Sequence, residues 1–284
     1  MGIDFAGVQF KNRVTLASGT CGFGRELAEL FDLSLLGGIC AKGLTLNPRI
    51  GNPPPRIAET PLGMLNSVGL QNPGVDAFIR EELPFLRQFD TNIIANFSGS
   101  SPEEFAEIAA KLAGAGIDML EVNISCPNVK AEGMLFGTSP DAAAEVTAAV
   151  KRVAGSVPVM VKLTPNVTDI VQIALACKDA GADALSLINT LLGMRFDLKS
   201  GKPILANGTG GLSGPAIFPV ALRMVYQVAN SVNIPILGLG GISSANDARE
   251  MLIAGAKLIG VGTAMFRDPL IAVKIIEELG KNEH

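Results

Sequence analysis

The chain has 284 residues, is 48% hydrophobic and carries a formal charge of −4, enough apolar material for the core of one large domain or two small ones. It has no Trp and no basic block, which argues against nucleic acid as a partner; no run of about 18 uncharged apolar residues occurs and no signal-type N-terminus opens the chain, so a cytoplasmic protein with no membrane contact is expected. Cys21, Cys40, Cys126 and Cys177 form no C-x-x-C pair, which argues against zinc, a disulfide framework or an iron–sulfur cluster on this chain and leaves the expected metal content at none.

In chain order, continuous apolar runs predict strands near residues 14–18, 38–42 and 92–97, the pattern of parallel strands buried on both faces. Ser101-Pro102-Glu103-Glu104 then gives an N-cap, an N1 proline and a capping-box acid. The helix behind it buries Phe105, Ile108, Ala109 and Leu112 at i, i+3, i+4, i+7. Ala115-Gly116-Ile117-Asp118 ends that helix and opens a strand at 118–123, and Ala180-Gly181-Ala182-Asp183 and Ala254-Gly255-Ala256-Lys257 repeat the device before strands at 183–189 and 257–262. Between them, Ser139-Pro140-Asp141 starts a helix before a strand at 158–162, and Ile170, Ile173, Ala174 and Cys177 form another helical core face, which makes Cys177 a packing residue. A strand at 234–240 and a helix near 269–279 complete the series.

Strand and helix alternate about eight times over about 250 residues, which predicts an α/β fold of the (β/α)8 TIM-barrel type with an N-terminal extension. A doubly wound open sheet is the alternative, but no G-x-G-x-x-G opens a helix in the first unit. The long segments 44–74 and 190–213 are expected to lie over the C-terminal face of the barrel, and 129–138, with Gly133 and Gly137, to act as a lid.

Barrel sites are built at the C-terminal ends of the strands, where this sequence places Ser18, Lys42, Asn96, Asn123, Lys162, Asn189, Gly240 and Gly262. A single polar strand end is ordinary where the chain returns to water; two lysines and three asparagines together indicate a site. Gly240-Gly241 and Gly262-Thr263 follow the last two strands, where bare backbone N–H groups commonly hold phosphate, and Gly208 to Gly214 adds a donor-rich loop. Asn123-Ile124-Ser125-Cys126-Pro127-Asn128 sets a thiol among amides, and the only histidine is His284, so proton chemistry in the core needs another carrier.

Asn123 to Asn128, Lys162-Leu163-Thr164-Pro165-Asn166-Val167-Thr168-Asp169, Ile188-Asn189-Thr190 and Gly240-Gly241-Ile242 resemble the class 1 dihydroorotate dehydrogenases, FMN enzymes of pyrimidine synthesis, and the resemblance spans nearly the whole chain. Gly22-Phe23-Gly24, Asn66 to Asn72 and Met194 to Leu198 are most similar to the branch whose catalytic subunit works with an electron-transfer subunit carrying FAD and a [2Fe–2S] cluster, with NAD+ as final acceptor. The resemblance implies one FMN-binding barrel domain over residues 1–284 and a homodimer core within a heterotetramer.

It also implies roles. Cys126 is the base that takes the C5 proton of dihydroorotate while hydride leaves C6 for flavin N5. Without a His partner such a thiol, ordinarily near pKa 8.5, gives activity that rises toward alkaline pH unless the site depresses it. Lys162 lies by the flavin N1–C2=O edge and favours the reduced state; Lys42 bridges flavin and substrate. Asn66 and the backbone of Ser67, Val68, Gly69 and Leu70 hold the substrate carboxylate, and Asn123, Asn128, Asn189 and Thr190 bond the pyrimidine edges. Ser18, Gly43, Asn96, Ile188, Gly214, Gly240, Gly241, Gly262 and Thr263 complete the FMN site. Two rivals stay open: a dihydropyrimidine dehydrogenase-like flavin reductase, whose substrate has no carboxylate, and a phosphate-binding lyase or aldolase using Lys42 or Lys162 as a Schiff base.

Overall fold

The computed structural model describes residues 2–125 and 136–281. Its centre is a closed barrel of eight parallel strands, β1 (Val14–Leu16), β2 (Gly38–Cys40), β3 (Asn92–Phe97), β4 (Met119–Asn123), β5 (Val159–Lys162), β6 (Ala184–Leu187), β7 (Ile236–Leu239) and β8 (Leu258–Val261), each paired with its neighbours in sequence and β8 with β1. Every one of them falls within a strand expected from the sequence: β3 matches its expected range and the other seven are trimmed at one or both ends. The reason for the match is burial on both faces: outward residues pack under helices and inward residues fill the barrel, so the runs lack polar alternation.

The helices follow the capping chemistry. α1 (Arg25–Ala28) is one turn. α2 is composite, Val75–Ala77 and Leu83–Leu86 joined by a π-helical turn at Phe78–Glu82. α3 (Pro102–Gly114) begins at Ser101, whose Oγ accepts from the Glu104 N–H, and buries Phe105, Ile108, Ala109 and Leu112 as the spacing predicts. α4 (Pro140–Val153) is capped by Ser139 and α5 (Ile170–Asp179) by Asp169, with Cys177 in its buried face. α6 (Phe218–Ala229), α7 (Ala245–Ile253) and α8 (Ile271–Gly280) complete the outer layer. Gly116, Gly181 and Gly255, one in each repeated Ala-Gly turn, adopt φ of 81°, 100° and 110°, the left-handed conformation that ends a helix and turns the chain into the next strand.

The N-terminal extension is a hairpin, Ile3–Phe5 against Val8–Phe10. Phe5 and Phe10 meet edge-on at 5.9 Å, are fully buried and pack with Ile94, Met119, Met160, Ala184 and Leu258. Those partners point inward from the starts of their strands or near them, so the hairpin plugs the N-terminal end of the barrel and leaves only the opposite end open.

The two long segments do more than cover that open end. Strands Ile57–Thr60 and Gly63–Asn66 from the first, and Leu191–Gly193 and Gly210–Ser213 from the second, combine into one four-stranded antiparallel sheet, which the sequence reading did not foresee. Gly63 lies so close to Ser213 that a Cβ there would stand 1.9 Å from its carbonyl oxygen; only glycine lets the two segments meet. Of the expected lid, 129–135 lies outside the described residues. Its end, Phe136–Thr138, is a 3-10 turn with Phe136 and Gly137 buried and the Phe136 ring edge-on to Phe105 at 5.7 Å.

Candidate active site

A single cavity at the C-terminal end of the barrel is lined by Ser18, Lys42, Asn96, Asn123, Lys162, Asn189, Gly240 and Gly262 together. All eight strand ends picked out from the sequence therefore converge, each delivered by a different strand. Gly43, Ile188, Thr190, Gly214, Gly241 and Thr263 line it too, and the covering sheet adds Asn66, with Val68, Gly69 and Leu70 just beyond it. Ser67 differs: it is fully buried, its N–H donates to the Arg56 carbonyl at 2.8 Å and its Oγ accepts from Asn52 Nδ2, and it is not among the lining residues. Its backbone donor is spent within the fold. Cys126 and Asn128 lie outside the described residues.

The amides on the wall are held in fixed orientations. Asn123 Oδ1 accepts from Ser125 Oγ at 2.6 Å, and Asn189 Nδ2 donates to that same hydroxyl at 2.5 Å. Asn189 Oδ1 accepts from the Thr190 N–H, and Asn166 Nδ2 donates to the Thr190 carbonyl. Ser125 and Asn166 are thus supports that the sequence reading quoted inside motifs without giving them a role. The signal that pointed to them was proximity in the chain to Asn123 and Lys162.

Another part of the lining is backbone. Gly240 and Gly241 have φ of 125° and 81°, and no partner for their N–H groups, or for those of Gly262 and Thr263, occurs among the described residues. A row of unspent donors beside glycines is an anion cradle. Val68, Gly69 and Leu70 form a second set: their N–H groups likewise have no partner among the described residues, and Gly69 and Leu70 both take left-handed φ, 76° and 54°. Gly241 admits no side chain, because a Cβ would stand 2.8 Å from the Gly214 carbonyl oxygen and 2.8 Å from Phe218 Cβ. Gly241→Ala is expected to lower stability by about 1–3 kcal/mol, read by the thermal transition.

Beneath the amides sits the charge of the site. Lys162 is 5% exposed and Glu121 2%, with Lys162 Nζ 3.9 Å from Glu121 Oε2. Burial acts to raise the Glu121 carboxyl, but the Lys162 ammonium and hydrogen bonds from Cys40, Ser186 and Asn96 outweigh it and hold the group below the usual carboxylate range. Glu121 falls inside the strand expected at 118–123 and has no role in the sequence-based site; period-two alternation, which puts Met119, Glu121 and Asn123 on one face, is the signal that finds it. Burial pushes the Cys21 and Cys177 thiols up to about 12, and burial with Glu121 alongside pushes Cys40 up as well. Among the described residues no group of three His, Cys, Asp or Glu side chains is placed to hold a metal, and no helix is long and apolar enough to cross a membrane.

Two anion cradles, two lysines and an amide wall in one cavity suit a flat, polar, anionic ligand pair. Comparison with known proteins gives the same direction. The family model described as dihydroorotate dehydrogenase matches residues 1–282. A relative named dihydroorotate dehydrogenase B (NAD(+)), catalytic subunit, from Geobacillus kaustophilus is 56% identical over 280 residues, covering 98% of this chain and 89% of the relative. Proteins of that name from Bacillus pumilus and Alkaliphilus oremlandii are 57% and 58% identical over 280 and 277 residues, each covering 98% of this chain and 90% and 91% of the relative. With a match of this extent on a closed parallel barrel, the chain belongs to the dihydroorotate dehydrogenase family.

Proposed function

We propose that the chain oxidises dihydroorotate to orotate in pyrimidine synthesis, with FMN as its bound cofactor, as the catalytic subunit of a complex that passes electrons on to NAD+. The observation that carries this reading is the shared cavity, whose lining brings together two lysines, an amide wall and two sets of unspent backbone N–H groups.

The residues present fit FMN. Gly240, Gly241, Gly262 and Thr263 offer their N–H groups to its phosphate, and glycine there lets an anion approach the backbone. Lys162 is a buried cation with no hydrogen-bond acceptor among the described residues, which leaves its donors for an electron-rich ring edge. Ser18, Lys42, Gly43, Asn96, Ile188 and Gly214 frame the same space. When bound, FMN supplies the hydride-accepting ring.

The chain does the rest. Asn123, Asn189 and Thr190 match the alternating N–H and C=O groups of the pyrimidine because an amide offers donor and acceptor on one side chain. Asn66 and the N–H groups of Val68, Gly69 and Leu70 receive the substrate carboxylate. The C5 proton goes to the Cys126 sulfur, because the three other thiols are buried and held protonated. Lys42, which lines the same cavity, bridges cofactor and substrate in this reading. A partner subunit bearing FAD and a [2Fe–2S] cluster would supply the onward electron transfer, a division supported by the words catalytic subunit and NAD(+) in the relatives' names and by the scattered cysteines of this chain. A cytoplasmic location accords with that assembly.

The carboxylate subsite separates this reading from a dihydropyrimidine-type reductase. Asn66→Ala is expected to weaken orotate about tenfold or more, the range of one hydrogen bond to a charged group, and to leave uracil, which has no carboxylate, unaffected. Both are read from the perturbation of the flavin spectrum; equal loss for the two ligands would remove Asn66 from that role.

A further inference from the structure

Glu121 and Lys162 are the only buried charged side chains among the described residues, and the chemistry proposed above uses only one of them. Glu121 sits one inward step below Asn123 on β4. Its Oε1 accepts from Ser186 Oγ on β6 at 2.7 Å; its Oε2 accepts from Asn96 Nδ2 on β3 at 2.6 Å and from Cys40 Sγ on β2 at 2.9 Å. Three neutral donors on three strands thus fix a carboxylate under the floor of the cavity. The same Oε2 lies 3.9 Å from Lys162 Nζ on β5, beyond hydrogen-bond reach yet close enough for strong attraction where water is absent.

We infer that Glu121 is the positioning residue for Lys162: it holds the ammonium at the cavity floor and offsets part of its charge, and so sets the reduction potential of the cofactor bound there. The inference rests on the FMN reading of the cavity. An unpaired ammonium at this depth would be strongly disfavoured; a carboxylate in direct contact would occupy its donors. The observed spacing does neither, and leaves Lys162 with free donors and a damped charge. A cation favours the reduced flavin because negative charge develops there on reduction, so the damping lowers the potential.

Glutamine isolates the charge. Its carbonyl can replace Oε2 and keep Asn96 and Cys40 as donors, while its amide faces the Ser186 hydroxyl, which turns to accept. Glu121→Gln is expected to raise the preference for reduced over oxidised FMN about tenfold, equivalent to about +30 mV for a two-electron couple, in a potentiometric titration against a reference dye. Ser186→Ala removes one hydrogen bond and keeps the charge, and its potential is expected to stay at the wild-type value. Should Glu121→Gln not fold, Glu121→Asp, which withdraws the carboxylate by one methylene, is expected to move the potential the same way by less. An unchanged potential in the Glu121 variants, or an equal shift in Ser186→Ala, would overturn the inference. Failure of the unmodified chain to bind added FMN at all would overturn the flavin reading and this inference with it, and shows itself before any substitution is made.

Discussion

Replacing Cys126 with alanine is expected to leave FMN bound and to slow its reduction by dihydroorotate about 10²- to 10⁴-fold, the loss typical of a missing general base. The size follows from the lack of any stand-in. His284 is the only histidine and ends the chain. The thiols of Cys21, Cys40 and Cys177 are buried and pushed up, which leaves them without useful basicity near neutral pH. Glu121 is nearby in sequence but enclosed by three hydrogen-bond donors one step below the amides. Stopped-flow reduction under anaerobic conditions measures the effect directly; a near-normal rate in the variant would remove Cys126 from the chemistry. In the unmodified protein the same rate should climb with pH through the thiol range, because a thiol proposed as base acts in its unprotonated form.

Lys162→Ala is expected to act twice. It removes the buried cation assigned to the proposed flavin site, so FMN affinity or reduction potential falls; unchanged values of both would take Lys162 out of the site. It also strands Glu121, and losing one partner of a buried pair destabilises by about 3–5 kcal/mol, here toward the lower figure because three hydrogen bonds to the carboxylate remain. The pH dependence gives the effect a sign. In the unmodified protein Glu121 is held below its ordinary value, so its contribution is present above the unfolded carboxyl pKa and is lost only as pH falls through the lower folded value. Without Lys162 the chief lowering influence is gone and burial raises the carboxyl instead. The variant's deficit should therefore be largest near neutral pH and shrink as pH falls through the raised value. Urea unfolding of both proteins from pH 7 to pH 5 reads this: the gap closes if Glu121 is the stranded group and stays constant if it is not.

The barrel was legible because parallel strands write themselves as uninterrupted apolar runs, and because Ser101, Ser139, Gly116, Gly181 and Gly255 mark helix ends by local chemistry that tertiary packing did not override. The site was legible for a related reason: a polar residue closes six of the eight apolar runs and has nowhere to point except the barrel mouth. Three features escaped. The covering sheet joins short strands about 150 residues apart, Gly63–Asn66 and Gly210–Ser213, and its pairing depends on glycines whose meaning appears only when the two segments touch. Within α2, Pro84 and the π-helical turn at Phe78–Glu82 disturb the 3.6-residue period. Glu121 was hidden in a hydrophobic run because a single inward charge is invisible until the strands around it bring Cys40, Asn96, Lys162 and Ser186 within reach.

The most direct test of the central claim is an anaerobic titration of the purified, FMN-reconstituted chain with dihydroorotate while its visible spectrum is recorded. The account predicts that the yellow flavin band bleaches to completion with dihydroorotate and not with dihydrouracil. A flavin that stays oxidised with dihydroorotate would contradict it.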